Sequence, residues 1–161
     1  MPAAINRYVT AIAQPNGRSE VRLSSTESHG ELVVPLGHEK PFTGDDSWAN
    51  YAFGVVAKYR DAGYPTTGFD VQYESDLPLG AGLSSSAALE TATALVIEGV
   101  NGLDLPQVER ALLCQSAEHD WAGVPCGIMD QLAVNGGIAG HALNIDCRTR
   151  EITPVSYTHL T

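Results

Sequence analysis

The amino-acid sequence predicts an α+β fold in a single domain. Short segments that alternate between apolar and polar residues dominate the first half of the chain, as in Glu20–Ser25, which is typical of strands with one buried face. Longer segments with apolar residues at helical spacing dominate the second half, above all Leu83–Val100. Strands that precede most of the helices, instead of alternating with them, favour α+β over a doubly wound sheet.

The N-terminal segments are predicted to be strands. Ala3–Gln14 is rich in apolar and β-branched residues and ends at a Pro-Asn-Gly turn. Glu20–Ser25 alternates, and Glu31–Val34 follows after a polar loop. Strands that follow each other through short connections predict an antiparallel start to the sheet.

The middle of the chain is predicted to contain a helix and a further strand. Apolar residues recur at helical spacing over Trp48–Asp61, after a run of capping residues at Gly44–Ser47 and before a glycine and a proline that end the helix. Phe69–Tyr73 alternates as a strand.

The remaining segments are predicted to be mostly helical. Leu83–Val100 is rich in Ala, Leu and Thr, and it stops at an Asn-Gly pair. A third helix is predicted over Leu105–Trp121, with Pro106 in its first turn. A shorter helix is predicted over Gly127–Val134, and His141–Asp146 is predicted to be a returning strand.

The composition is that of an acidic protein. Nine Lys and Arg residues against 19 Asp and Glu residues give a formal net charge of −10, which disfavours nucleic acid and anionic lipid as partners. No apolar run is long enough to span a bilayer and the start lacks a signal-peptide pattern, so we expect a cytoplasmic protein with no membrane partner. The three cysteines have neither disulfide-framework nor zinc-ligand spacing, so we expect reduced thiols and no structural zinc.

The segment Leu77–Glu90 (LPLGAGLSSSAALE) is the most informative part of the sequence for function. It follows a predicted strand and opens a predicted helix, and its glycines allow a close approach of the backbone to a ligand. The first amides of a helix lack partners within the helix and lie at the positive end of its dipole. The segment therefore predicts an anion site that suits a nucleotide triphosphate.

An ordinary helix N-cap is the alternative interpretation of this segment, and the sequence leaves both open. A cap needs one serine, whereas Ser84, Ser85 and Ser86 supply three. The segment is not a Walker loop, because Gly-Lys-Ser/Thr does not occur, and it lacks the third glycine of a dinucleotide fingerprint.

Several blocks of the sequence resemble one family of kinases. Pro78–Ala88 resembles the second signature of the GHMP kinases, the superfamily of galacto-, homoserine, mevalonate and phosphomevalonate kinases, and Cys126–Gln131 (CGIMDQ) is similar to the catalytic segment of its galactokinase branch. Trp48–Tyr51, Ala117–His119 and His141–Arg148 also resemble that branch, in the same order. The resemblance implies the GHMP kinase N-terminal domain fold (ribosomal protein S5 domain 2-like) and ATP-dependent phosphorylation of galactose.

The resemblance also implies roles for individual residues. Mg²⁺ is expected on Ser86 and Glu118, although Glu118 has a solvated helix-face carboxylate as its alternative. Asp130 is expected to be the catalytic base and to contact the sugar, with Gly127 lying against the sugar. Trp48 is expected either near the adenine or in the core. The expected nucleotide-binding residues are Leu79, Gly80, Ala81, Gly82, Leu83, Ser84, Ser85, Ser86 and Trp48.

Three alternative functions remain open. A related kinase for arabinose or N-acetylgalactosamine would share these motifs, and a galactokinase-like regulator would bind sugar and ATP without catalysis. Such regulators can lose residues from the serine–alanine stretch, whereas Ser84–Ala88 is intact, which favours the enzyme. The third alternative is an interaction domain without a nucleotide site.

Several family features are expected to lie outside the chain. They are the first signature, which supplies an arginine near the catalytic aspartate in galactokinases, the third signature and the C-terminal domain. We therefore interpret residues 1–154 as an incomplete N-terminal domain and expect the chain alone to be inactive. Residues 155–161 (VSYTHLT) resemble a translated sequencing adapter and are interpreted as a non-native tail. The sequence gives no prediction of oligomeric state.

Overall fold

A four-stranded sheet forms one layer of the molecule in the computed structural model, which describes residues 1–27, 30–78 and 82–156. Its strands are β1 (Val9–Pro15), β2 (Glu20–Ser25), β3 (Glu31–Pro35) and β4 (Phe69–Ser75), in the spatial order β1-β4-β2-β3. Strand β4 runs antiparallel to β1 and parallel to β2, while β2 and β3 are antiparallel. The alternation seen in the sequence buries one face of this sheet against the helices.

Insertion of β4 separates β1 from β2. In the turn between them, Asn16 Nδ2 donates to Asp70 Oδ1 of β4 at 2.8 Å and to Glu20 O at 3.2 Å. Gly68 precedes β4 at this point, and a Cβ there would lie 2.1 Å from Arg18 O, so only glycine allows the approach. The three N-terminal strands therefore alternate in direction, as the antiparallel start predicts, but β1 and β2 do not pair with each other because β4 lies between them.

The chain start does not belong to β1. The carbonyl oxygen of Pro2 accepts a hydrogen bond from Leu143 N at 2.7 Å, and Ala3 forms an isolated antiparallel bridge with Ala142. The first residues therefore contact the C-terminal hairpin, and the predicted strand start at Ala3 was wrong because β1 begins at Val9.

Four α-helices pack with one another and against the sheet: α1 (Ala49–Asp61), α2 (Ser85–Asn101), α3 (Gln107–Ala117) and α4 (Met129–Gly136). Each lies where the sequence predicts a helix. Helix α2 begins two residues late because Ser84 adopts a left-handed conformation with φ of 54°, and it is followed by Gly102 with φ of 66°.

Two helix ends differ from the predictions. Gly44–Trp48 forms a turn of 3₁₀ helix without a side-chain cap, where capping residues were predicted. Helix α3 ends at Ala117, and Glu118–Ala122, which were predicted to extend it, form a π-helical turn. This turn brings Trp121 onto α1, where a Cβ on Gly54 would lie 2.8 Å from Trp121 Cβ.

Strands β5 (His141–Asp146) and β6 (Glu151–Ser156) form a separate antiparallel hairpin. The predicted strand at His141–Asp146 is confirmed, whereas β6 was not predicted. Val155 and Ser156 are part of β6, and residues 157–161 lie outside the described part of the chain. The non-native origin of residues 155–161 stays a prediction.

The main core lies between the sheet and α1, where Phe53, Tyr59 and Phe69 are fully buried. Burying side chains of this size contributes about 1.5–3 kcal/mol each to folding. Strands gathered in one sheet with helices packed against it confirm the predicted α+β fold. None of the described helices is long and apolar enough to cross a membrane.

Candidate active site

The start of α2 borders a cleft, and its serines are not used as a helix cap. Ser84 has φ of 54° and ψ of 39°, and its side chain makes no capping hydrogen bond. Ser85 and Ser86 occupy the first helical positions and are half-buried. The ordinary N-cap interpretation therefore does not describe this helix start. Gly82 and Leu83 are exposed beside it, while the candidate residues Leu79, Gly80 and Ala81 lie outside the described ranges.

The cleft has a volume of about 660 Å³ and lies between the sheet and the first turns of α1 and α2. Trp48 and Tyr51 contribute aromatic surface on one side, and Ser85 and Ser86 contribute hydroxyls on another. Trp48 also packs edge-to-face on Tyr73 of the core, with ring centroids 6.5 Å apart. Trp48 therefore contacts the core and also lines the cleft, and its place near the adenine stays a prediction. The lining residues are Val9, Ser25, Glu27, Gly30, Glu31, Leu32, Asp45, Asp46, Trp48, Tyr51, Tyr73, Ser75, Ser85, Ser86 and Leu89.

Two carboxyl groups and one amide form a buried cluster next to this cleft. Glu90 lies one turn after Ser86 on α2, and Glu118 begins the π-helical turn; they are 0% and 5% exposed. Gln131 Nε2 donates to Glu90 Oε2 at 3.1 Å and to Glu118 Oε2 at 2.6 Å. Cys126 Sγ donates to Glu118 Oε2 at 3.1 Å. Glu118 is therefore a buried carboxylate and not a solvated one on a helix face.

The cluster has unusual electrostatics because it concentrates acidic groups away from water. Burial raises the pKa of the Glu90 carboxyl to about 8; the hydrogen bond from Gln131 opposes the rise, and the charges of Glu118 and Asp130 add to it. Burial and the same two glutamates, Glu118 and Glu90, also raise the pKa of Tyr51, which lines the cleft. Tyr51 therefore stands between the cleft and the carboxyl cluster.

Asp130 lies in the first turn of α4, immediately before Gln131, and is half-buried. The charges of Asp130, the predicted base, and of Glu118, the predicted metal ligand, both contribute to the raised pKa of the Glu90 carboxyl. Gly127 is exposed, and a Cβ there would meet no atom of the described residues within 4 Å. Glu118, Gly127 and Asp130 are not among the residues that line the 660 Å³ cleft. Glu118 begins the π-helical turn, Gly127 precedes α4, and Asp130 lies in the first turn of α4.

Cys126 is not an activated nucleophile. Burial and its hydrogen bond to the Glu118 carboxylate raise the pKa of the thiol to about 11, which keeps it protonated at neutral pH. The neighbouring His119 is exposed, and its Nε2 lies 2.8 Å from the Cys126 carbonyl oxygen.

Glu90, Gln131 and Tyr51 are site residues that the sequence did not single out. A carboxylate four residues after Ser86 on an Ala-rich, buried helix is the one signal that could have identified Glu90, because an acidic residue rarely occupies such a position without a function. Gln131 closes the CGIMDQ segment that carries the family resemblance, but the resemblance gave it no role of its own.

The residues present fit a magnesium ion that arrives with a nucleotide. Ser86 and Glu118 supply hard oxygen donors, and Mg²⁺ is usually held by one or two carboxylates together with water and substrate phosphates. Within the described ranges, no group of three or more His, Cys, Asp or Glu side chains could hold a metal by itself. The donor set therefore suits a cation shared with a phosphate ligand.

Fold and site together define an α+β domain with a cleft at the start of a helix. The family model "GHMP kinases N terminal domain" matches residues 50–137, which is more than half of the chain. The chain therefore belongs to the GHMP kinase family, and the resemblance predicted from its signature segments is confirmed.

Curated relatives and solved structures agree with this membership. The chain is 44% identical over 147 residues to the galactokinase of Roseiflexus sp. (strain RS-1), covering 91% of this chain and 37% of that protein. It is 42% identical over 154 residues to the galactokinase of Chloroflexus aggregans, covering 96% of this chain and 39% of that protein. The structure of Lactococcus lactis galactokinase complexed with galactose matches with a TM-score of 0.89 and 31% identity, covering 96% of this chain and 40% of that one. The chain thus spans about two fifths of the length of the relatives it matches.

Proposed function

We propose that this chain provides the phosphate-binding loop and the catalytic base of a galactokinase, which transfers the γ-phosphoryl group of ATP to galactose. The observation that carries the proposal is the cleft at the start of α2, which Ser86 lines. Glu90 lies one turn after Ser86, and the charge of Asp130 contributes to the raised pKa of its carboxyl group. The names of the relatives support galactose as the substrate.

Each part of the site has a role in this reaction. The start of α2, with Ser85 and Ser86, receives the phosphates, and Trp48 lies against the adenine. Ser86 and Glu118 would hold Mg²⁺, which neutralises charge on the phosphates when bound. Asp130 accepts the proton of the sugar hydroxyl as that oxygen attacks phosphorus, and the ADP leaving group takes the bond electrons.

The test is sugar-dependent ATP turnover by the full-length protein. We expect the protein to convert galactose and ATP to galactose 1-phosphate and ADP, and phosphorus NMR measures both products. Arabinose and N-acetylgalactosamine are tested in parallel as alternative substrates. Faster turnover of either of these sugars would identify it as the substrate in place of galactose and would leave the proposed kinase activity intact.

A non-catalytic sugar and ATP binder is the second candidate, because the cleft and the cluster would also serve binding. It predicts equilibrium binding of both ligands with no ADP formed above the rate without sugar. If the protein bound neither sugar nor ATP, both candidate functions would be contradicted, and an interaction domain would be the remaining interpretation.

A further inference from the structure

Glu118 is a buried carboxylate without a basic partner. Among the described residues, no ion pair includes Glu90 or Glu118, although other buried acids such as Glu98 are paired with an arginine. Buried charges are normally paired or coordinate metals. Among the described residues, Glu118 therefore has hydrogen-bond donors but no cationic side chain to pair with.

Gln131 makes the shorter of two hydrogen bonds to this carboxylate, and Cys126 Sγ makes the other at 3.1 Å. A single amide nitrogen donates to Glu118 Oε2 at 2.6 Å and to Glu90 Oε2 at 3.1 Å, and the side chain is fully buried. A neutral donor orients a carboxylate and leaves its negative charge in place, whereas a lysine or arginine would neutralise that charge. The backbone of Gln131 is held in turn, because Asn135 Nδ2 donates to Gln131 O at 2.8 Å and to Thr91 Oγ1 at 3.0 Å.

The cluster is not arranged for stability. Glu90 Oε1 and Gln131 Oε1 are buried without a hydrogen-bond partner among the described residues. Unsatisfied buried oxygens cost free energy and are rare in folded proteins unless a function requires them. A role in orienting Glu118 supplies that requirement.

We propose that Gln131 is a positioning residue that fixes the Glu118 carboxylate to receive the nucleotide-bound divalent cation. The inference rests on the proposed function. It also links the base and the cation ligand mechanically, because Gln131 follows Asp130 on α4 and contacts Glu118 directly.

The test measures ATP affinity of the full-length protein by calorimetry, in EDTA and across a titration of Mg²⁺, with Mn²⁺ binding followed by EPR. Gln131→Met removes the donor at similar volume, Gln131→Leu removes the donor with a branched apolar side chain, and Gln72→Met on the exposed side of β4 is the matched control. We expect both Gln131 variants to raise the Mg²⁺ and Mn²⁺ midpoints about 10- to 100-fold. ATP affinity in EDTA is expected to stay within about twofold, as is usual when a metal-orienting partner alone is removed, and the control is expected to match the wild type.

Four results would overturn the inference. Unchanged metal midpoints in the folded variants would show that Glu118 needs no orientation by Gln131. An equal loss of ATP affinity with and without metal, or unfolding of both variants in circular dichroism, would make Gln131 a structural residue. A wild-type protein that binds no ATP would contradict the proposed function as well, whereas the first three results leave it intact.

Discussion

Asp130 and Gln131 are consecutive residues of α4 with different surroundings. Asp130 is half-buried, and Gln131 is fully buried between two carboxyl groups. A base must reach its substrate, while a residue that orients a ligand must be fixed, so the two environments match the two proposed roles.

Asp130→Asn tests the proposed base at the residue scale. Asparagine has the same shape but cannot accept the sugar proton, so we expect kcat of the full-length protein to fall about 10²- to 10⁴-fold. The dissociation constant of ATP is expected to change little. A folded variant with near-normal kcat would remove Asp130 from the chemistry.

Gly127→Ala tests the proposed contact with the sugar. A Cβ at this position meets no atom within 4 Å in the part of the chain that the structure describes, so the free energy of unfolding is expected to be unchanged. If the sugar occupies that space, KM for the sugar rises about tenfold or more, equivalent to about 1.4 kcal/mol of lost binding. Steady-state kinetics and urea denaturation measure the two quantities. An unchanged KM would mean that the sugar lies elsewhere.

At the scale of elements, a buried ion pair joins three helices. Arg110 on α3 donates from Nε and Nη2 to the Glu98 carboxylate on α2 at 2.8 and 2.6 Å, and Tyr59 Oη on α1 donates to the same group. Bidentate pairs of this kind fix the relative orientation of the elements that carry them. The pair lies at the far end of α2 from Ser86, so it stabilises the helix without entering the site.

This pair predicts how stability depends on pH. Burial alone would raise the pKa of Glu98, but the hydrogen bonds from Arg110 and Tyr59 outweigh it and hold the pKa below the ordinary value of 4.5. The stabilisation is therefore present above about pH 4.5 and is lost as the pH falls through the lower pKa of the folded state.

Glu98→Gln is the variant that isolates this effect. We expect its free energy of unfolding to fall less steeply than that of the wild type as the pH drops from 5 to 3, in urea denaturation series. Glu151→Gln on the exposed side of β6 is the matched control. Parallel curves for the wild type and Glu98→Gln would show that the ion pair contributes nothing to acid stability.

Element positions follow from the sequence where local pattern and tertiary contacts agree. Strand β2 has the predicted bounds because its alternating residues become the buried face. The order of the strands cannot be predicted from the sequence, because it depends on a contact between distant segments. Gly68 has to fit against the turn at Asn16. The π-helical turn is equally non-local, since it forms where Trp121 packs on Gly54.

The candidate site divides in the same way. Ser86, Glu118 and Asp130 lie within sequence motifs, so the sequence predicts a role for each of them. Glu90 and Gln131 become site residues only through their contacts with each other across α2 and α4. Both residues lie in segments that resemble the family, but no periodicity or spacing encodes the contact between them, so the sequence alone could not predict it.

At the scale of the whole molecule, charge is the constraint on the proposed ligand. The chain has a formal net charge of −10, and the exposed acids Glu27, Glu31, Asp45 and Asp46 border the cleft. The overall field therefore repels a triphosphate. Binding has to come from local donors at the start of α2 and from a divalent cation.

The dissociation constant of Mg-ATP, compared between the full-length wild type and Ser86→Ala, tests the central claim most directly. Loss of one hydroxyl that bonds to a charged ligand or its cation is worth about 1.5–3 kcal/mol, so we predict binding about 10- to 100-fold weaker. Ser19→Ala is the matched control, because Ser19 is an exposed serine immediately before β2 and does not line the cleft. This variant is expected to bind Mg-ATP as the wild type does. Equal dissociation constants for wild type, Ser86→Ala and Ser19→Ala would contradict the claim that the start of α2 holds the phosphates.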